Sequence, residues 1–163
     1  MKIELTQGKW AVIDEEDYDM LEQHTWRAQN WGSGFYAVTN IRAVDGRQRI
    51  LSMHRLLLGL QRGDPREGDH INHDTLDNRR SNLRVCTRAQ NQYNYRSNRG
   101  ASQYQGVTHL NRKTPWQATI QINGKHLYLG VFASEIAAAE AYDAAAKKYF
   151  GDFAHLNFPM KGR

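Results

Sequence analysis

Between Asp69 and Asn91 the chain reads DHINHDTLDNRRSNLRVCTRAQN, and this stretch holds the residues best suited to chemistry. His70 has an imidazole, whose ordinary pKa of about 6.5 lets it take a proton from water near neutral pH. Asp69 offers a carboxylate oxygen and Asn91 an amide oxygen, the hard donors preferred by Mg²⁺ or Mn²⁺. Two protein ligands leave positions for phosphate oxygens and water, which suits Mg²⁺. Arg79, Arg80, Arg84 and Arg88 add planar, forked donors that match phosphate. Phosphodiester hydrolysis needs an activated water, a stabiliser of phosphate charge and a stabiliser of the leaving oxygen. This stretch contains candidates for all three. One geometric condition applies. Neighbouring residues of a regular strand face opposite ways, so Asp69 and His70 cooperate only where the strand ends or bulges.

The elements that must hold these groups can be read locally. Residues 68–71 fit a short strand, 73–81 a polar loop and 83–86 a second short strand. Thr87 and Gln90 have the spacing of a capping box, which places Asn91 in the first turn of a helix running to about Tyr95. The result is strand, long loop, strand and helix over residues 61–95.

Residues 1–60 read as a small α+β platform. Strands are expected over 2–6, 10–13, 25–28, 35–41 and 47–53, with a short acidic surface helix over 14–22 and an apolar helix over 54–60. Trp10, Trp26 and Trp31 fit core or turn packing. Residues 96–103 read as a polar linker; its Arg96 and Arg99 follow Tyr93 and Tyr95 and are candidates to lie along a DNA groove, against the plainer reading of a solvated linker. Residues 104–159 form a further unit. Strands over 107–110, 116–122 and 126–129 are followed by a helix capped by Ser134, running to about Phe150 and closed by Gly151. Asn123-Gly124 is a hairpin turn signal. Ala118, Ile120 and Ile122 share one face of the middle strand, and Gln117, Thr119 and Gln121 the other. The alanine-rich helix can then lie close against the apolar face, leaving the polar face for a partner. The fold class is α+β throughout.

Charge is uneven. Residues 1–60 carry 7 Lys/Arg against 8 Asp/Glu, residues 61–100 carry 8 against 5, and residues 101–163 carry 7 against 4. All eight cations of the middle block are arginine, which favours a nucleic-acid partner. A lone cysteine, Cys86, excludes an internal disulfide or a cysteine-rich zinc site. The apolar runs are short and the start of the chain has no secretory pattern, so a cytoplasmic location, in a phage or bacterial host cell, is expected.

Asp69-His70, Asn82-Leu83-Arg84 and Asn91, spaced twelve and nine positions apart, resemble the HNH nucleases of ββα-metal fold, especially their homing members. The MHRLLLG run at 53–59 is typical of the same proteins. The resemblance implies that His70 is the general base and that Asp69 and Asn91 hold a divalent metal. It implies that Asn82 pins the loop and orients the base. Asn91 stands where the family is named for histidine.

The last unit resembles the DNA-binding domain of plant ethylene-response factors, the APETALA-two type. The matching residues include Tyr104-x-Gly106-Val107, Trp116-x-Ala118-x-Ile120, Tyr128-Leu129-Gly130-x-Phe132, Ala141-Tyr142-Asp143 and Leu156-Asn157-Phe158-Pro159. That resemblance implies a three-stranded antiparallel sheet backed by one helix. It also implies DNA-facing Thr108, Trp116, Thr119, Gln121, His126 and Tyr128.

Other groups have plainer readings. His73 fits a solvated loop residue, His54 a structural one and Cys86 a small core residue, while Asp74 and Asp77 fit ordinary loop formers. The favoured reading is a site-directed endonuclease acting on double-stranded DNA. As a monomer it would nick one strand, and as a homodimer it would cut both. The alternatives are a non-catalytic DNA-binding regulator and a non-specific toxin-like nuclease.

Overall fold

The computed structural model describes residues 1–93, 102–111, 113 and 115–159. Arg96, Arg99, Tyr95 and most of the expected linker lie outside the described residues. Contacts divide the chain into two compact units, Met1–Arg88 and Ala89–Arg163.

The first unit begins with a two-stranded ribbon, β1 (Lys2–Glu4) and β2 (Trp10–Val12). The expected acidic helix is a 3₁₀ turn, Glu15–Asp17, running into a single helical turn, α1 (Tyr18–Leu21). Its Asp17 is buried rather than solvated, because the Arg80 guanidinium reaches it at 2.6 Å. A meander follows: β3 (Arg27–Asn30), β4 (Phe35–Arg42) and β5 (Gln48–Ser52), with β4 in the middle. The chain then enters α2 (Met53–Leu57), and the hairpin β6 (Glu67–His70) with β7 (Leu83–Cys86) completes the unit's strands.

One core draws on most of these elements, and β7 contributes to it through Leu83. It includes Ile13, Leu21, Trp26, Ala37, Met53, Leu57 and Leu83. Trp26 is buried and its indole N–H donates to the Leu21 carbonyl at 2.8 Å, while Trp10 and Trp31 are about half exposed. Cys86 is buried, and burial pushes its thiol up to about 11.

Helix α3 (Arg88–Tyr93) spans the boundary, with most of its residues in the second unit. There Tyr93 stacks on Phe150, ring centroids 4.0 Å apart at 10°, and its hydroxyl donates to Asn123 Oδ1. The sheet of that unit has the order β10 (Lys125–Phe132), β9 (Trp116–Ile122), β8 (Val107–His109). It is backed by α4 (Glu135–Phe150), whose Ser134 cap accepts from the Ala137 amide at 3.1 Å. Ala138, Ala139 and Ala146 are fully buried, as the close approach of helix and sheet requires. β10 is longer than expected because a bulge after Tyr128 lets it continue to Phe132. Asp143, also buried, accepts the backbone amides of Asn157 and Phe158 at 2.8 Å, tying that segment to α4.

Candidate active site and nucleic-acid interface

β6 and β7 place the two leading residues. Asp69 lies opposite Arg84 in the register and His70 opposite Leu83. His70 is the last residue of β6, so the strand ends at the Asp-His pair. Both side chains are buried, at 6% and 5% exposure. They face different neighbours, as strand alternation demands. Asp69 Oδ2 accepts from Arg84 Nε and Nη2, both at 2.7 Å. His70 faces the rings of His54 and Tyr36, at centroid distances of 5.1 and 6.1 Å.

Burial dominates the electrostatics of His70 and His54. It lowers the His70 pKa below 6.5, against the opposing effects of the Asn78 hydrogen bond and of Asp69, Asp74 and Asp77. His54 is pushed down to about 3 by burial, then by His70 and Arg55. A neutral His70 is the form that can accept a proton.

The loop between β6 and β7 is built from side-chain bonds to backbone. Asn82 Oδ1 accepts the Asn72 amide at 2.9 Å, and Asn82 Nδ2 donates to the Asp77 carbonyl at 2.7 Å. Asn72 and Asp74 cap the turns that follow them. The loop is also sewn to β2: Val12 donates to the Leu76 carbonyl at 2.9 Å, and Asn78 donates to the Val12 carbonyl at 2.7 Å. His73 sits at the exposed turn with φ 65°. From this loop Asn78 also meets His70, with Oδ1 3.4 Å from Nε2. Sequence reasoning passed over Asn78, since an asparagine in a polar loop looks like a turn former. Its only signal was adjacency to Asp77 in the DNRR run.

Three of the four arginines have carboxylate partners within the unit. Arg79 holds Asp77 through two bonds of 2.7 and 2.6 Å. Arg80 holds Asp17, and its backbone amide donates to Asp14. Arg84 holds Asp69. Arg88 is exposed at the start of α3. Asn91 lies half-buried on the same helix, in the second unit. Among the described residues no group of three or more His, Cys, Asp or Glu side chains gathers to hold a metal. Asp69 and Asn91 each offer a hard oxygen donor of the kind a divalent cation takes.

In the second unit, cross-strand pairing puts Thr108 opposite Gln117, Tyr128 opposite Thr119 and His126 opposite Gln121. These six residues share the polar face. Tyr128 is 60% exposed. Thr108, Thr119, Gln121 and His126 also border a cavity of about 570 Å³, together with Gln92 and Tyr93 of α3. Trp116 does not share that face. It is two residues from Ala118 along β9, so it lies on the helix side, packed against Val107, Ala118, Ala138 and Ala139.

Comparison with known proteins agrees with both parts of this description. Residues 53–93 match the HNH endonuclease family. The match spans α2, the β6–β7 hairpin and α3, and so includes His54 as well as His70. A second similarity, to plant AP2-like factors, covers 38% of the chain. The AP2-like ethylene-responsive transcription factor AIL7 of Arabidopsis thaliana is 55% identical over 64 residues, which is 13% of that protein. The AP2-like ethylene-responsive transcription factor CRL5 of Oryza sativa subsp. japonica is 51% identical over 64 residues, 10% of its length. The ethylene-responsive transcription factor WRI1 of Arabidopsis thaliana is 43% identical over 75 residues, or 40% of this chain and 17% of that protein. The chain thus carries one segment similar to HNH endonucleases and one region similar to AP2-like factors, and it spans only a small fraction of these relatives. Among the described residues no helix is long and apolar enough to cross a membrane.

Proposed function

We propose that this protein is a metal-dependent, site-directed DNA endonuclease of the homing type. The observation that carries the reading is His70, buried, depressed in pKa and held against Asn78 at the end of β6, inside the segment that matches HNH endonucleases. His70 takes a proton from the water that attacks the scissile phosphorus. Asp69 and Asn91 hold the divalent cation, Mg²⁺ or Mn²⁺. That cation supplies Lewis-acid stabilisation of the phosphate and of the departing 3′ oxygen when it is bound. Arg84 fixes the orientation of the Asp69 carboxylate. Asn82 keeps the loop folded around the base. The polar sheet face of the second unit, with Thr108, Thr119, Gln121, His126 and Tyr128, meets the major groove, and Arg88 meets phosphate. One site cuts one strand, so a monomer nicks and a homodimer makes paired cuts.

The test is incubation of supercoiled plasmid carrying candidate sites with Mg²⁺, with Mn²⁺ or with chelator. Nicking should require the cation, and His70→Ala should lower its rate by about 10²- to 10⁴-fold. Equal rates for wild type and His70→Ala would remove the assignment of the base. The alternative, a non-catalytic DNA-binding regulator, draws on the AP2-like relatives, which are named as transcription factors. Retained DNA binding with no cation-dependent cutting would select it.

A further inference from the structure

We propose that Asn78 is the positioning residue that fixes His70 in its Nε2–H tautomer, so that Nδ1 is the nitrogen carrying the lone pair. The consequence for catalysis rests on the nuclease reading above, but the tautomer does not.

Asn78 is 1% exposed and held from several sides. Its backbone N–H donates to Val12 O at 2.7 Å, which locks the residue onto β2. Its side-chain Nδ2 donates to Leu76 O at 3.1 Å. A carbonyl only accepts, so the amide nitrogen must face Leu76 and the amide oxygen must face the other way. That oxygen lies 3.4 Å from His70 Nε2. An amide oxygen also only accepts, so Nε2 supplies the hydrogen. In a neutral imidazole the other nitrogen then carries the lone pair.

The ring plane is held separately. His54 meets His70 at 68° and Tyr36 meets it at 65°. His54 has room only because position 68 is glycine: a Cβ there would lie 2.7 Å from His54 Cδ2 and 2.9 Å from Leu58 Cδ1. The two loop asparagines therefore divide the work. Asn82 bonds backbone and shapes the loop, while Asn78 bonds the base and selects its proton-accepting atom.

The experiment uses the full chain labelled with ring-¹⁵N histidine. Long-range ¹H–¹⁵N spectra are recorded at about pH 8, above the ordinary histidine pKa. The His70 signals are assigned by their loss in His70→Gln. Wild type should show a pyridine-type Nδ1 and a pyrrole-type Nε2. Asn78→Asp keeps an acceptor oxygen and should retain that pattern. Asn78→Leu should shift both signals towards a mixture of tautomers. A wild-type His70 in the Nδ1–H form overturns the proposal, as does an unchanged pattern in Asn78→Leu. Should Asn78→Leu fail to fold, the wild-type and Asn78→Asp spectra still decide. A parallel plasmid assay should show Asn78→Leu reducing kcat on the order of 10²-fold with KM unchanged, and Asn78→Asp restoring most of it. Equal losses in the two variants point to a merely structural role and overturn the positioning claim. Absence of cutting by wild type would sink the nuclease reading while leaving the tautomer result intact.

Discussion

His54 meets His70 edge-on inside the first unit, with ring centroids 5.1 Å apart. Both imidazoles are buried, and both pKa values lie below the ordinary 6.5, His54 at about 3. In the window between the folded and unfolded values the unfolded chain binds more protons, so acid favours unfolding. Stability should be full above about pH 6.5 and fall as pH drops below it. His54 alone should remove roughly 2 kcal/mol by about pH 5. Most carboxylates stay ionised over that range, so the histidines dominate. Urea unfolding at a series of pH values should show the midpoint falling, and His54→Gln should flatten the dependence. A wild-type midpoint that is constant across the window contradicts the assignment.

The Arg84–Asp69 pair makes a second prediction. Arg84 Nε and Nη2 each lie 2.7 Å from Asp69 Oδ2, and the two side chains are 16% and 7% exposed. Removing the guanidinium leaves a nearly buried carboxylate without its main counter-charge. Arg84→Ala should therefore destabilise the fold by about 3 kcal/mol. Arg84→Ala combined with Asp69→Ala should be milder than the sum of the two single changes, because the second change removes the stranded charge. Denaturant midpoints of the four proteins in this cycle measure the coupling, and strict additivity would show that the pair is not coupled.

Much of the fold follows from local signals. β7 and β9 have the expected bounds because alternation and turn residues define them. α4 starts and stops as expected because Ser134 and Gly151 punctuate it. The candidate base stood out by residue type and spacing. Its surroundings did not, because they depend on chain-distant partners: Asp17 for Arg80, 63 residues away, and Val12 for the 71–82 loop. Asn78 looked like any loop asparagine until β2 fixed its backbone and so aimed its amide. Trp116 carries two signals that differ: alternation with Ala118 puts it on the helix side, while the family resemblance implies a DNA-facing role.

Gly106 makes a third prediction. Its φ is 73°, and a Cβ there would lie 2.0 Å from Tyr142 Cδ2 and 2.6 Å from the Thr119 carbonyl. Tyr142 is buried, so the ring cannot swing into solvent. Gly106→Ala combines a steric clash with a disfavoured backbone and should destabilise the second unit by more than about 3 kcal/mol. Gly124→Ala is the control. Its φ is similar, 78°, but a Cβ there meets nothing within 4 Å, so about 1 kcal/mol is expected. Thermal unfolding of both variants should show a clear gap between them. Similar losses would mean that backbone strain alone, and not the Tyr142 approach, governs position 106.

The polar sheet face makes the last prediction, about DNA. Thr108, Gln117, Thr119, Gln121, His126 and Tyr128 share it, and none carries a fixed positive charge. Each phosphate neutralised by a cation adds about 0.9 to the slope of log affinity against log salt on duplex DNA. These residues can offer hydrogen bonds and aromatic contact, but they release few counterions. Binding by the His70→Ala chain, which should not cut, is therefore expected to owe little of its salt slope to this face. Thr119→Arg and Gln121→Arg should each steepen the slope by about 1 if the face meets phosphate. Tyr128→Ala should weaken binding while leaving the slope unchanged, because tyrosine releases no counterion. Affinity measured at several salt concentrations separates the outcomes. Arginine substitutions that leave both affinity and slope untouched would remove this face from the DNA interface and shift attention to Arg88.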